Sequence, residues 1–133
     1  MMRAVVDASV LFRYLIKPGA AVREMIEQYW VDGAFVMVAS PELLAELTAV
    51  LARPAMKELV RSDEAAVLVD AVGQRAAMIS PLDEVPASTR DRKDDIFVAC
   101  AVAGRADYVV TTDNDILVLD QLLNVRVVAP QQF

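Results

Sequence analysis

Carboxylates stand at four places in the chain where an apolar segment ends or a helix begins. They are Asp7, Glu46, Asp95 and Asp113. Clustered carboxylates repel one another unless protons or hard cations neutralise them, and an all-oxygen pocket suits Mg²⁺ or Mn²⁺. Such cations activate water and stabilise the charge that develops on a phosphate and its leaving oxygen. If the four acids converge, they predict metal-dependent cleavage of a phosphodiester.

The residue types that the chain lacks narrow the chemistry further. Its 133 residues include no histidine and one cysteine, Cys100, which lies in an apolar run and is expected to be buried and inert. These counts exclude Ser-His-Asp hydrolysis, histidine acid–base nucleases, histidine-ligated zinc and an intramolecular disulfide. The net charge of −6 also argues against a broad basic surface, so cations would have to offset that charge at a phosphate site.

The distribution of apolar residues predicts one compact cytoplasmic domain over residues 1–133. Hydrophobic residues make up 56% of the chain, but no apolar run approaches the roughly 20 residues of a membrane span. An acid at position 7 comes too early for a signal peptide. The apolar surplus suggests buried strands and a subunit interface, and Met25, Ile26, Tyr29 and Trp30 fit either the core or that interface.

Short apolar segments alternate with helical stretches along the chain. Strands are expected at 3–6, 35–38, 108–110 and 125–129, with a weaker candidate at 77–79. Helices are expected at 10–16, 20–31, from Ser40-Pro41 to about Arg53, 65–75 behind a Ser62-Asp63-Glu64 cap, and from about Asp94 to a C-cap at Gly104. This alternation predicts an α/β sandwich with a mainly parallel sheet.

That architecture brings the four acids to one edge. Asp7 follows the first strand, and Asp113 lies three residues past Val110, so both belong at the carboxyl edge where parallel α/β sheets form their sites. The helix from Ser40 leaves the same edge, and Glu46 is about 9 Å along it, within reach for a side chain that leans towards the helix N-terminus. The helix from Asp94 precedes a strand, so its N-terminus, with Asp95, returns to that edge.

Neighbouring acids leave alternatives open at each position. Asp7 could be a plain turn residue, and Asp113 could cap a short helix. Glu42, one turn before Glu46, is a rival on the same helix. Asp91 and Asp94 compete with Asp95 as acids favoured by a helix N-terminus. Further contacts to a metal are expected from Asp94 and Asp115, with the weaker expectation for Asp115.

Four blocks of the sequence together resemble the PIN-domain family. The first runs from Val5 to Leu11 around Asp7, and the second from Ser40 to Pro54 around Glu46. The third runs from Asp91 to Ala101 and continues into the fourth, from Ala106 to Leu117. The blocks occur in the family's order and span nearly the whole chain. Thr112 stands where family members often carry glycine, which we interpret as a tolerated change.

The resemblance implies a three-layer α/β/α PIN fold and a ribonuclease that depends on Mg²⁺ or Mn²⁺. For the VapC-like branch it also implies a toxin held inactive by a cognate antitoxin, and a homodimer. The family's register favours Asp95 over Asp94. Ser9 and Thr111 match small hydroxyl positions that orient acids or waters. On this hypothesis Asp7, Glu46, Asp95 and Asp113 hold the metal that activates water for attack on an RNA phosphate.

Basic residues near the four acids are candidates for gripping RNA phosphates. They are Arg53, Lys57, Arg90, Arg92 and Lys93, and each could equally belong to a solvated rim.

Two other functions compete with RNA cleavage. The chain could be a PIN-fold protein that binds a partner with little or no nuclease turnover, because its acidic balance and apolar richness suit a groove for an antitoxin helix. An aspartyl-phosphate enzyme fits less well, because Ser9 stands where haloacid-dehalogenase-like enzymes need a second aspartate. Receiver domains need a lysine after a late strand, and the chain has none there.

Overall fold

Five short strands form a parallel sheet with the first strand at its centre. The computed structural model describes residues 2–17, 19–79, 99–112 and 125–133. The strands are β1 (Arg3–Val6), β2 (Val36–Ala39), β3 (Ala77–Met78), β4 (Tyr108–Val110) and β5 (Arg126–Val128). Their order is β3-β2-β1-β4-β5, and every neighbouring pair is parallel. All five predicted strands are confirmed, with ends that differ from prediction by up to one residue.

Helices connect the strands. They are α1 (Ala8–Ile16), α2 (Ala20–Glu24) with a π-helical continuation (Met25–Trp30), α3 (Pro41–Leu51), α4 (Pro54–Leu59), α5 (Ser62–Arg75), α6, described over residues 99–103, and a 3₁₀ turn (Pro130–Gln132). Ser40 caps α3 as predicted, because its Oγ accepts a hydrogen bond from the Leu43 amide at 3.1 Å. The predicted cap of α5 is wrong: Arg61 is its N-cap, and Ser62 lies in the first turn without a side-chain cap.

Apolar residues on both faces of the sheet create two cores. Alternate residues of a strand point to opposite faces, and in β1 Ala4 and Val6 join one buried cluster while Val5 joins the other. The first cluster is closed by α1, α2, the π-helix and α5, and the second by α6. Helix α3 contributes Leu47 to the first cluster and Leu43 to the second. The three-layer α/β/α arrangement is therefore confirmed.

The helix predicted over 20–31 is not a single α-helix. From Met25 to Trp30 it follows π-helical geometry, whose i→i+5 hydrogen bonds bring residues five apart closer to one face. Met25, Ile26 and Trp30 are all buried in the core of this one chain, whereas Tyr29 is 43% exposed. Three of the four residues left open between core and interface therefore belong to the core. Among the described residues, no helix is both long and apolar enough to cross a membrane.

Candidate active site

Asp7 lies at the carboxyl end of the central strand and is almost completely buried. Only 4% of the residue is exposed, and its amide donates to the Val110 carbonyl at 2.8 Å, which ties the end of β1 to β4. Asp7 also occupies the N-cap position of α1, but its side chain makes no capping hydrogen bond. The carboxylate therefore does not cap the start of α1, although Asp7 is the residue at which that helix begins.

Two hydroxyl groups hold the Asp7 carboxylate. Thr111 Oγ1 donates to Asp7 Oδ2 at 2.5 Å, and Ser9 Oγ donates to the same oxygen at 2.9 Å. Thr111 is itself fully buried, and its amide donates to the Val128 carbonyl at 3.0 Å. Hydrogen bonds to a charged acceptor are stronger than those between neutral groups. The structure therefore brings Ser9 and Thr111, both singled out from the sequence, onto one oxygen of Asp7.

Thr112 adds a contact that the sequence did not suggest. Its Oγ1 lies 2.9 Å from Ser9 Oγ, and its amide donates to the same Ser9 oxygen at 3.3 Å. In the sequence this residue stood out only as a replacement for a frequent glycine. The signal that could have found it is a hydroxyl directly after the buried Thr111, at the end of a strand next to β1.

Glu46 lies on the second turn of α3 and is partly buried, whereas Glu42 is exposed. Leu43 and Leu47, on either side of Glu46 in the helix, line the same small apolar cavity as Ala8, the residue after Asp7. Helix α3 is therefore packed against the segment that carries Asp7. This packing and the burial of Glu46 favour it over Glu42 as the acid that serves the sheet edge.

Several predicted site residues lie outside the described residues. They are Asp94, Asp95, Asp113 and Asp115 among the acids, and Arg90, Arg92 and Lys93 among the basic residues. Within the described part of the chain, no three acidic or cysteine side chains lie close enough together to hold a metal ion. Arg53, the N-cap of α4, and Lys57, in the last turn of that helix, are both exposed.

The donor set described so far suits a hard cation better than a soft one. Asp7 and Glu46 offer carboxylate oxygens, the chain has no histidine, and Cys100 is fully buried. Burial raises the pKa of the Cys100 thiol from 9.0 to about 11; a hydrogen bond with Ser40 opposes that rise and the charge of Glu42 adds to it. The neutral thiol is a poor metal ligand, because metals bind the thiolate. Mg²⁺ or Mn²⁺ therefore fits these residues better than zinc, which prefers histidine and thiolate ligands.

Comparisons with known proteins agree with the fold. Two solved structures share it: VapBC2 from Rickettsia felis bound to a DNA fragment from their promoter, and FitAcB from Neisseria gonorrhoeae. The first has a TM-score of 0.63 at 13% identity over 96% of this chain and 98% of that one. The second has a TM-score of 0.60 at 18% identity over 98% and 99%. A sequence search among curated proteins finds no match.

The family model described as "PIN domain" matches residues 3–115, which include Asp7, Glu46, Asp95 and Asp113. The match covers most of the chain and agrees with the observed parallel sheet and with Asp7 at its carboxyl edge. This chain therefore belongs to the PIN-domain family, whose members are generally nucleases.

Proposed function

We propose that the chain, as a single PIN domain over residues 1–133, is an endoribonuclease that depends on Mg²⁺ or Mn²⁺ and is the toxin of a toxin–antitoxin pair. The observation that carries the proposal is the placement of Asp7. A carboxylate at the carboxyl edge of the central strand is buried, does not cap its helix, and is held by two hydroxyl groups on one oxygen. A side chain fixed in this way is preorganised to bind a cation.

Four carboxylates would hold the metal: Asp7, Glu46, Asp95 and Asp113, with Asp94 and Asp115 as further candidates. When bound, the ion would supply an activated water and stabilise the oxygen that leaves the phosphate. The chain's own contribution is to orient those carboxylates. Ser9 and Thr111 do so for Asp7, and the packing of Leu43 and Leu47 beside Ala8 does so for the helix that carries Glu46.

The RNA would be held by basic residues that grip phosphates beyond the cut. Arg53 at the N-cap of α4 and Lys57 in its last turn are exposed, and Arg90, Arg92 and Lys93 complete the candidate set. Such contacts add affinity without reading sequence. Because the net charge is −6, binding is expected to depend on the metal as well as on these side chains.

A second candidate function is that the chain binds a partner protein and has little or no nuclease turnover. A groove between the helices supports such binding. Helices α1 and α2 with the π-helix form one wall, α5 forms the other, and the volume between them is about 680 Å³. Ile26, Trp30 and Leu68 line it with apolar surface, and Val67 is 70% exposed. An amphipathic helix suits such a groove. We propose that this groove binds the antitoxin. We also propose that the chain forms a homodimer.

The test of the nuclease is cleavage of a mixed RNA pool with Mn²⁺ or Mg²⁺, against an EDTA control. Asp7→Asn is expected to abolish metal-dependent cleavage, and Glu46→Gln to reduce it by at least about 100-fold, because each removes a charged ligand. Glu42→Gln, one turn away on the same helix and exposed, is the matched control and should keep full activity.

Two results would reject the nuclease. One is undiminished cutting by pure, folded Asp7→Asn protein. The other is a wild-type protein that, purified without any antitoxin, cuts no RNA with either metal, and that result would favour the partner-binding function.

A further inference from the structure

We infer that Thr112 is a positioning residue for Asp7, and that it acts through Ser9. The inference rests on the proposed metal-dependent function. Thr112 and Ser9 are both partly buried, and they come from segments more than 100 residues apart in sequence, since the contact joins residues separated by 103 positions. The contact therefore joins the first turn of α1, which follows β1, to the segment after the neighbouring strand β4.

The direction of the hydrogen bonds follows from counting donors. A serine hydroxyl has one proton and two acceptor sites. An ionised Asp7 can only accept, so the Ser9 proton must go to Asp7 Oδ2, at 2.9 Å. The contact of 2.9 Å between Ser9 Oγ and Thr112 Oγ1 must then use the Thr112 proton, and the Thr112 amide fills the remaining acceptor site at 3.3 Å. The result is a chain from Thr112 through Ser9 to Asp7.

The Thr112 hydroxyl makes a contribution to the position of Ser9 that the Thr112 backbone amide does not make. The amide contact would survive in any residue with a backbone N–H at this position. The hydroxyl contact is shorter, at 2.9 Å against 3.3 Å, and it belongs to the chain of hydrogen bonds that ends on Asp7. Hydrogen bonds in such a chain polarise and strengthen one another. A glycine at position 112 would leave Ser9 freer to rotate its proton away from Asp7. Thr112 therefore holds the Ser9 proton on Asp7 before any metal arrives.

The experiment measures Mn²⁺ binding to metal-free protein by electron paramagnetic resonance of the free ion, without RNA. Thr112→Val removes the hydroxyl and keeps the branched shape, and it should weaken Mn²⁺ binding by about 3- to 10-fold, near the lower end of what residues behind metal ligands contribute. Thr112→Ser restores a hydroxyl and should bind within about twofold of wild type. Thr112→Gly is a second variant without the hydroxyl, in case valine disturbs folding, which thermal unfolding in EDTA would reveal.

A double-mutant cycle separates action through Ser9 from a local effect on the next residue, Asp113. If the inference holds, Thr112→Val should have almost no further effect in a Ser9→Ala background. An unchanged affinity in both Thr112→Val and Thr112→Gly overturns the inference, and so does an equal loss with and without Ser9. In both of those cases the nuclease proposal still stands. A wild-type protein that binds no Mn²⁺ overturns the two together.

Discussion

At the scale of single residues, the centre of the molecule is a carboxylate removed from water and given hydroxyl partners instead. Burying a charge is costly unless hydrogen bonds replace its hydration. Ser9 and Thr111 supply such bonds to Asp7, and each bond to a charged group contributes about 1.5 to 3 kcal/mol. Burying a charge in this way does not serve stability, and under the proposed function the buried charge of Asp7 serves metal binding.

Cys100 shows the opposite case, because its buried thiol stays protonated and neutral. Burial raises the pKa of its thiol from 9.0 to about 11. Between those two values the unfolded thiol loses its proton while the folded thiol keeps it, so the unfolded state binds fewer protons and stability falls as pH rises. Well below pH 9 neither state is appreciably ionised, and the group contributes almost no pH dependence.

This difference in pKa predicts a loss of about 2 kcal/mol in the free energy of unfolding between pH 8 and pH 10.5 that depends on Cys100. Urea unfolding at several pH values measures it. Tyrosines also titrate in this range, so the quantity to compare is the difference between wild type and Cys100→Ala. Parallel curves for the two proteins would show that the thiol is not protected as the structure describes.

At the scale of elements, two neighbouring residues at the end of α6 have different roles. Arg105 adopts the left-handed conformation that glycine usually takes at a helix end, and Gly104 allows a close contact between α6 and β2. The Ala106 amide donates to the Ala101 carbonyl at 2.9 Å, and the Arg105 amide to the Val102 carbonyl at 3.2 Å, the pattern of a Schellman motif. The left-handed residue in it is Arg105, with φ of 53°. The sequence placed a glycine C-cap at Gly104, and the helix does end there, but the unusual conformation falls one residue later.

Gly104 is needed for space. A Cβ built on it would lie 2.4 Å from Cγ1 of the buried Val38, a contact that real Cβ atoms essentially never show, and 3.0 Å from the Cys100 carbonyl oxygen. The close approach of α6 to β2 therefore requires glycine at this position. The same close approach brings Cys100 beside Ser40, the residue that caps α3.

Two glycine-to-alanine substitutions test this distinction. Gly104→Ala should lower the free energy of unfolding by about 1 to 3 kcal/mol, because it overpacks the contact with Val38. Gly73→Ala, in the last turn of α5 with its Cβ no closer than 3.5 Å to Leu44 Cδ2, should raise it by up to about 0.5 to 1 kcal/mol through helix propensity. Urea unfolding of both variants gives the comparison, and a similar effect of the two would contradict the assigned role of Gly104.

At the scale of the whole molecule, the two surfaces that carry the proposed functions lie at different places. The carboxyl edge carries Asp7 and its hydroxyl partners, whereas the groove between the π-helix and α5 lies on one helical layer. Trp30, the only tryptophan of the chain, is 7% exposed and lines that groove. Its fluorescence is therefore a reporter of anything that binds there.

If the groove accepts the proposed antitoxin, binding of that partner is predicted to change the Trp30 fluorescence. Val67→Lys puts a charge on the groove wall and should weaken binding by about tenfold or more. Val102→Lys is the matched control, because Val102 is also a helical valine with 49% of its surface exposed but belongs to α6 on the other face of the sheet. Equal binding by the two variants would remove the groove from the proposal.

The sequence was sufficient for those features of the molecule that local physics decides. Continuous apolar runs identified all five strands, Ser40-Pro41 marked the start of α3, and the alternation of strands with helices led to a parallel sheet under two helical layers. The helix from Ser40 ends just before Arg53-Pro54, as predicted, but the sequence analysis missed the new helix that follows. Proline also suits the first turn of a helix, and α4 begins at Pro54.

Only the tertiary structure decided which side chains surround Asp7. The bonds from Thr111 and Thr112 cross 104 and 103 positions of sequence, and they exist because β4 lies next to β1 in the sheet. No periodicity or cap encodes that neighbourhood, since strand order is fixed by the packing of the whole sheet. The sequence alone placed Asp7 at the edge and supplied the hydroxyls. Only the fold shows that Thr112, which the sequence analysis interpreted as a tolerated change, contacts Ser9.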